Sequence, residues 1–145
     1  GRLLAVITQN IDGLHQKAGS QEVLELHGSV LRNYCERCGA FYGLDTILHS
    51  AGVPRCPACG GDIKPDVVLY EESLDMQMME QALEYISRAD MLIIGGTSLV
   101  VYPAAGLIQY YRGHKLAVIN KGGAGSGLGA AVTIDGPIGQ VMAQL

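Results

Sequence analysis

Cys35, Cys38, Cys56 and Cys59 form two Cys-x2-Cys pairs with seventeen residues between them. Each pair can close as a thiolate knuckle around one ion, and two pairs complete a tetrahedral sulfur shell with no position left for water. That pattern predicts a structural zinc site, with iron or four unliganded thiols as competing readings and a protein-binding knuckle as a further one. Gly39 and the pair Gly60-Gly61 follow their knuckles closely, which gives the chain room to turn so that backbone N–H groups approach sulfur. A closed shell folds its module and does no chemistry, so reactive groups are expected elsewhere. Two places offer them. The run Thr8-Gln9-Asn10-Ile11-Asp12-Gly13 supplies amides that donate to and accept from hydroxyls, and a carboxylate that accepts from N–H. His27, between Leu26 and Gly28, has an unperturbed pKa near ~6.5 that suits a general base. Read without further context, His27 could equally be a satisfied core histidine and Asp12 a turn cap before Gly13.

The elements that must carry these residues alternate between strand and helix. Leu3 to Ile7 reads as a fully buried parallel strand, with Thr8 to Gly13 as the loop at its C-terminal end, where open α/β sheets keep their ligands. Val23 to His27 reads as a short strand or turn, after which the periodic pattern dissolves into the metal module. Within that module Phe41 to His49 is a short strand or a short helix. Ile63-Lys64-Pro65-Asp66 then re-enters the sheet through a strand at Val67-Val68-Leu69-Tyr70, the proline holding its predecessor extended. Met76, Met79, Leu83 and Ile86 recur at helical spacing and predict an amphipathic helix over Asp75 to Arg88, its methionines filling core. Met91 to Ile94 is a further buried strand ending in the turn Gly95-Gly96-Thr97-Ser98. A helix over Pro103 to Tyr111 leads to a strand over Lys115 to Ile119 that ends at Asn120. Ala131 to Ile134 reads as a last short strand, and Ile138 to Leu145 as a last helix with Val141 and Leu145 on one face. This alternation predicts an α/β fold with a parallel sheet and its loops gathered on one edge.

Lys121 to Gly129 is glycine-rich, with a mobile loop as its simplest reading and a joining linker or a phosphate nest as alternatives. No Walker lysine-serine pair follows it, which gives phosphate binding little weight.

At 145 residues the chain suits one ordinary domain. Its net charge of -4, from 14 acidic and 10 basic residues, gives no electrostatic reason to expect direct contact with nucleic acid or an anionic membrane. The clustering of the cysteines fits a metal site in a reducing compartment better than a secreted disulfide scaffold. Apolar stretches are strand-sized and no charged leader precedes one, so neither a membrane span nor a signal peptide is expected, and the expected location is the cytoplasm.

Together these residues resemble the sirtuin family of NAD-dependent protein deacylases, in its bacterial type. The family's order is matched by Thr8 to His15, Ala18-Gly19, Glu25-Leu26-His27-Gly28 and the two cysteine pairs. It continues through Lys64-Pro65-Asp66-Val67-Val68, Gly96-Thr97-Ser98-Leu99, Val101, Pro103-Ala104 and Ile119-Asn120. The resemblance covers essentially the whole chain but not the family's first third, whose glycine-rich motif cradles the NAD pyrophosphate. It implies a Rossmann-like parallel sheet with helices on both faces and an inserted small zinc-ribbon module. Residues 1–32 and 63–145 would form the NAD-binding part and residues 33–62 the zinc module.

The resemblance also implies roles for particular residues. NAD and zinc are the implied cofactors. His27, Asn10 and Asp12 match the catalytic set. Gln9, Asn10, Asp12, Gly96, Thr97, Ser98 and Asn120 match the NAD contacts, and Val67, Val68, Leu69, Tyr70 and Glu71 the substrate cleft. The implied reaction removes an acyl group, acetyl by default, from a protein lysine and yields nicotinamide and O-acyl-ADP-ribose. The acyl-lysine carbonyl oxygen attacks C1′ of the nicotinamide ribose, and His27 accepts the proton that lets a ribose hydroxyl attack the resulting imidate. The implied partner is an acyl-lysine protein or peptide, lying as an extra strand between the metal module and the sheet.

Two departures from the family stand out. Glu71 occupies a place where many members carry glycine, and the stretch Gly122 to Gly129 holds neither the threonine nor the aspartate that often follow the adenosine-contact asparagine. A non-catalytic zinc-knuckle module and a protein mono-ADP-ribosyltransferase are the alternative functions. Because Leu3 to Ile7 is apolar on both faces and the pyrophosphate cradle has no donor here, the chain is expected to be a piece of a larger domain. It would be inactive alone and would associate through the surface that the missing third covers.

Overall fold

The computed structural model describes residues 3–100, 102–123 and 127–144. Val101, Leu145 and residues 124–126 of the glycine-rich stretch therefore lie outside the described residues. The chain divides into two compact units, residues 1–79 and 80–145.

In the first unit, β1 (Val6–Thr8) pairs in parallel with β2 (Val23–Glu25), the crossover between them carrying the single-turn helix α1 (Leu14–Lys17). The first strand is thus shorter than the apolar run suggests, and Leu3 and Leu4 are exposed rather than buried. Its extent follows its partner, since the register runs only from Val6 opposite Val23 to Thr8 opposite Glu25.

The second sheet of this unit is antiparallel, in the order β4 (Phe41–Gly43), β3 (Gly28–Cys35) and β5 (Ile63–Val67). The eight-residue β3 is absent from the sequence reading because its buried positions are Ser29, Asn33 and Cys35. Polar side chains fill the face that apolar alternation would normally mark. The strand expected at Val67 to Tyr70 lies earlier, at Ile63–Val67, and is antiparallel to β3 instead of joining the parallel sheet. Pro65 is accommodated because β5 is the edge of its sheet, where a missing donor breaks no second ladder. Phe41 to His49 holds both of its alternatives in succession: β4, then helix α2 (Leu44–Leu48). Cys35, Cys56 and Ile63 form a buried cluster with Tyr42 and Ile47 packed on it.

Helix α3 (Met76–Arg88) spans the join of the two units. Asp75 caps it, its Oδ1 accepting from the N–H groups of Gln77 at 2.8 Å and Met78 at 3.1 Å. Its buried residues are Ala82 and Ile86, whereas Met76 is exposed, so this methionine does not fill core.

The second unit is built on a parallel sheet in the order β6 (Met91–Gly95), β7 (Lys115–Asn120) and β8 (Val132–Asp135). The central β7 buries Leu116, Ala117, Val118 and Ile119 in succession, as a strand covered on both faces does. In β6 the pattern alternates, and Met91 and Ile93 are exposed while Ile94 joins Leu116 and Val118 in the core. An edge strand with one covered face explains the difference from the expected fully buried run. The segment expected as a helix from Pro103 is a 3-10 helix over Ala104–Tyr110, a tighter winding in a stretch interrupted by Gly106. The last helix, α4, is limited to Ile138–Met142.

Candidate functional site

The polar loop after β1 is sewn to the chain around His27. The Leu26 N–H donates to the Thr8 carbonyl at 2.9 Å and the Val30 N–H to the Ile11 carbonyl at 3.0 Å. Within the loop the Asn10 N–H donates to Thr8 Oγ1 at 3.1 Å, and the Leu14 N–H to Asp12 Oδ1 at 3.0 Å. The Asp12 carboxylate therefore makes the turn contact that local sequence allows, while Asn10 and Asp12 both stay exposed.

Half-buried His27 places Nδ1 3.1 Å from the backbone carbonyl of Gln9. A carbonyl can only accept, so Nδ1 carries a proton, and the tautomer this contact selects for the neutral imidazole has its lone pair on Nε2. On the other side, the His27 carbonyl accepts from the Val68 N–H at 3.1 Å, which ties the start of the candidate substrate segment to the histidine. The next residue must be glycine. Gly28 has φ of 76°, and a Cβ there would stand 1.9 Å from the Asp66 carbonyl oxygen. Gln9, Asn10, Asp12, His27, Val67 and Val68 are thus gathered in one unit by hydrogen bonds of the backbone. Leu69 and Tyr70 are exposed, and Glu71 follows in a left-handed conformation with φ of 70°. The turn is held by the Glu72 N–H on the Leu69 carbonyl and by the Leu69 N–H on Glu72 Oε2.

The same unit holds an ion-pair bridge not foreseen from sequence. Arg32 reaches Glu25 at 2.7 Å and Asp66 at 2.9 Å, linking β2, β3 and β5. Glu25 is only 4% exposed, and the guanidinium gives this buried carboxyl group its ion-pair partner. The two acids lie 41 positions apart in sequence and meet only through the pairing of β3 with β5, which left no local signal to read.

In the second unit Gly96, Thr97 and Ser98 follow β6, and Asn120 ends β7. The Asn120 amide donates to the Thr97 carbonyl, and the Gly96 N–H to the Ile119 carbonyl at 3.2 Å. These residues therefore share the C-terminal edge of the parallel sheet, with Gly96 and Ser98 exposed. Asp135, unremarked in sequence, accepts from the Gly122 N–H at 2.9 Å and steadies the start of the glycine-rich stretch.

The four cysteine sulfurs all lie within 4.8 Å of one another. Cys35 and Cys59 are 3.4 Å apart and Cys38 and Cys56 3.7 Å. A tetrahedral site with Zn–S bonds of ~2.3 Å requires sulfurs about 3.8 Å apart, so the thiols are positioned for zinc. Gly61 is needed here for its missing side chain, because a Cβ would meet Cys35 Sγ at 2.9 Å. Tyr42 places its hydroxyl 3.0 Å from Cys56 Sγ, a contact that sequence spacing does not signal. In the metal-free thiols, the Tyr42 hydroxyl draws Cys56 down to about 6, and the same contact pushes Tyr42 up to about 12. Although the Gly61 N–H favours the Cys59 thiolate, its hydrogen bond with Cys35 and its burial push Cys59 up to about 12.

Among the described residues no helix is long and apolar enough to cross a membrane.

The Sir2 family model matches residues 1–103. The chain is 59% identical over 146 residues to the NAD-dependent protein deacetylase of Clostridium perfringens, covering 100% of this chain and 60% of that protein. It is 54% identical over 143 residues to the one from Clostridium tetani, covering 98% of this chain and 58% of that protein. A solved Sir2 structure with p53 peptide and NAD+ superposes with a TM-score of 0.87 at 41% identity, covering 97% of this chain and 60% of that one. A Sir2 structure with acetylated peptide gives 0.88 at 40% identity, covering 97% and 61%. The chain thus spans about three fifths of the length of these relatives. A family model matched over most of the sequence, together with likeness to solved structures through both units, shows that the chain belongs to the Sir2 family and has its Rossmann-like α/β fold with a parallel sheet.

Proposed function

We propose that this chain belongs to an enzyme that removes acyl groups, acetyl by default, from protein lysines using NAD, and releases nicotinamide and O-acyl-ADP-ribose. The observation that carries the reading is the His27 contact with Gln9, which leaves Nε2 as a proton acceptor beside a polar loop. NAD, when bound, supplies a ribose carbon that becomes electrophilic as nicotinamide leaves. His27 Nε2 accepts a proton from a ribose hydroxyl and so makes that oxygen nucleophilic. Asn10 and Asp12 orient the nicotinamide end, Asn10 through an amide that donates and accepts and Asp12 through a carboxylate that accepts. Gln9 contributes a ribose contact, and Gly96, Thr97, Ser98 and Asn120 take the phosphate and adenosine-ribose end. Glycine permits close approach there, and hydroxyls bond to oxygens. Val67, Val68, Leu69, Tyr70 and Glu71 form the wall along which an acyl-lysine peptide lies extended.

In this reading residues 1–32 and 63–145 make up the NAD-binding part, and residues 33–62 a zinc module that holds structure. The reading includes a cytoplasmic setting, supported by four unbridged thiols grouped as a metal site. Relatives named NAD-dependent protein deacetylase, and Sir2 structures holding acetylated peptide or 2′-O-acetyl-ADP-ribose, support the reaction class. The test is to incubate the protein containing this chain with acetyl-lysine peptide and NAD, and to assay nicotinamide and O-acetyl-ADP-ribose. Formation of neither product rejects the proposal.

A further inference from the structure

We propose that Tyr42 is a positioning residue of the zinc centre, its hydroxyl donating to the Cys56 thiolate and thereby slowing loss of the metal. In the metal-bound form Cys56 carries no proton, so the direction of the 3.0 Å contact is settled: the phenol donates and sulfur accepts. Four thiolates around one divalent cation leave excess negative charge on sulfur. A donor aimed at one of them offsets part of that charge and holds the sulfur in its place in the shell.

The donor is itself held in place. Tyr42 lies on β4 opposite Asn33 of β3, and its carbonyl accepts from the Asn33 amide at 3.4 Å. Asn33 is almost wholly buried, and the Tyr42 ring packs on the cluster of Cys35, Cys56 and Ile63. Cys56 is likewise buried at 2% exposure, so water competes poorly for its sulfur. The contact also crosses the module, joining the strand that follows the first cysteine pair to the opening residue of the second. Opening the centre to a chelator would have to break it. This inference concerns the zinc centre alone and stands or falls independently of the proposed deacylation.

Tyr42→Phe keeps the packed ring and removes only the hydroxyl. Transfer of zinc from the loaded protein to a chromophoric chelator is expected to be about 10-fold faster in the variant, the lower end of what lost outer-shell partners cost a metal site. A transfer rate indistinguishable from the parent's would overturn the proposal. Cadmium-113 NMR of the substituted protein, read against a second variant of the same cluster, separates the hydroxyl from the packing. The resonance is expected to shift in Tyr42→Phe and to hold its place in Ile47→Val, a change on the same cluster that keeps the hydroxyl. Equal shifts in the two variants would show that only packing is being read, and would likewise overturn it.

Discussion

Nδ1 of His27 donates to the backbone carbonyl of Gln9 across 3.1 Å, so the tautomer of the imidazole is set by a main-chain group that no side-chain substitution at position 9 removes. His27→Ala is therefore expected to fold normally and to lower turnover by about 10²-fold or more, the loss typical of a missing proton acceptor. Gln9→Ala should keep the tautomer and affect NAD affinity instead. Nicotinamide release followed alongside thermal melting checks both. Full turnover in a normally melting His27→Ala variant would remove His27 from its assigned role.

Gly28→Ala is expected to destabilise the first unit by about 2–4 kcal/mol, through a left-handed backbone and overpacking against a carbonyl that cannot move aside. The contact at issue is the 1.9 Å approach to the Asp66 oxygen. Urea unfolding that placed this variant within 0.5 kcal/mol of the parent, roughly the size of a neutral surface change, would contradict the geometry.

Elemental analysis should find one zinc per chain, and X-ray absorption Zn–S distances near ~2.3 Å. Chelation, or Cys35→Ala, is expected to expose residues 36–62 to proteolysis, because metal binding here is folding free energy. Gly61→Ala should weaken metal retention as well, its new methyl group pressing on Cys35 Sγ. A module that stayed resistant to protease without metal would count against a structural role for zinc.

Arg32→Ala strips the nearly buried Glu25 of its guanidinium and is expected to cost about 1–3 kcal/mol, with Glu25→Gln recovering part of the loss in the double variant. Additive effects in that cycle would show that the two groups do not stabilise one another.

Glu71 occupies a left-handed position that favours glycine. Glu71→Gly should relieve backbone strain of about 1–2 kcal/mol against an entropic cost of about 0.4–1 kcal/mol. A small net gain in stability, readable as a rise in melting temperature, is the expected outcome, and a fall would show that the side chain contributes more than its backbone costs.

The two cysteine pairs, the polar loop before Gly13 and the Leu-His-Gly step were legible because each rests on residue type at short spacing, which chain geometry alone brings together. So was the parallel sheet of the second unit, whose central strand is apolar without interruption from Leu116 to Ile119. The long strand Gly28–Cys35 was not legible, since its inward residues are polar and find their partners only in the folded sheet. Nor was the antiparallel placement of Ile63–Val67, which depends on register with that strand. The same holds for the chemistry. Residue types made His27 a candidate base, but its free nitrogen is decided by a carbonyl 18 positions away. The bridging of Glu25 and Asp66 by Arg32, and the Tyr42 hydroxyl on Cys56, likewise depend on distances that exist only once the strands have paired.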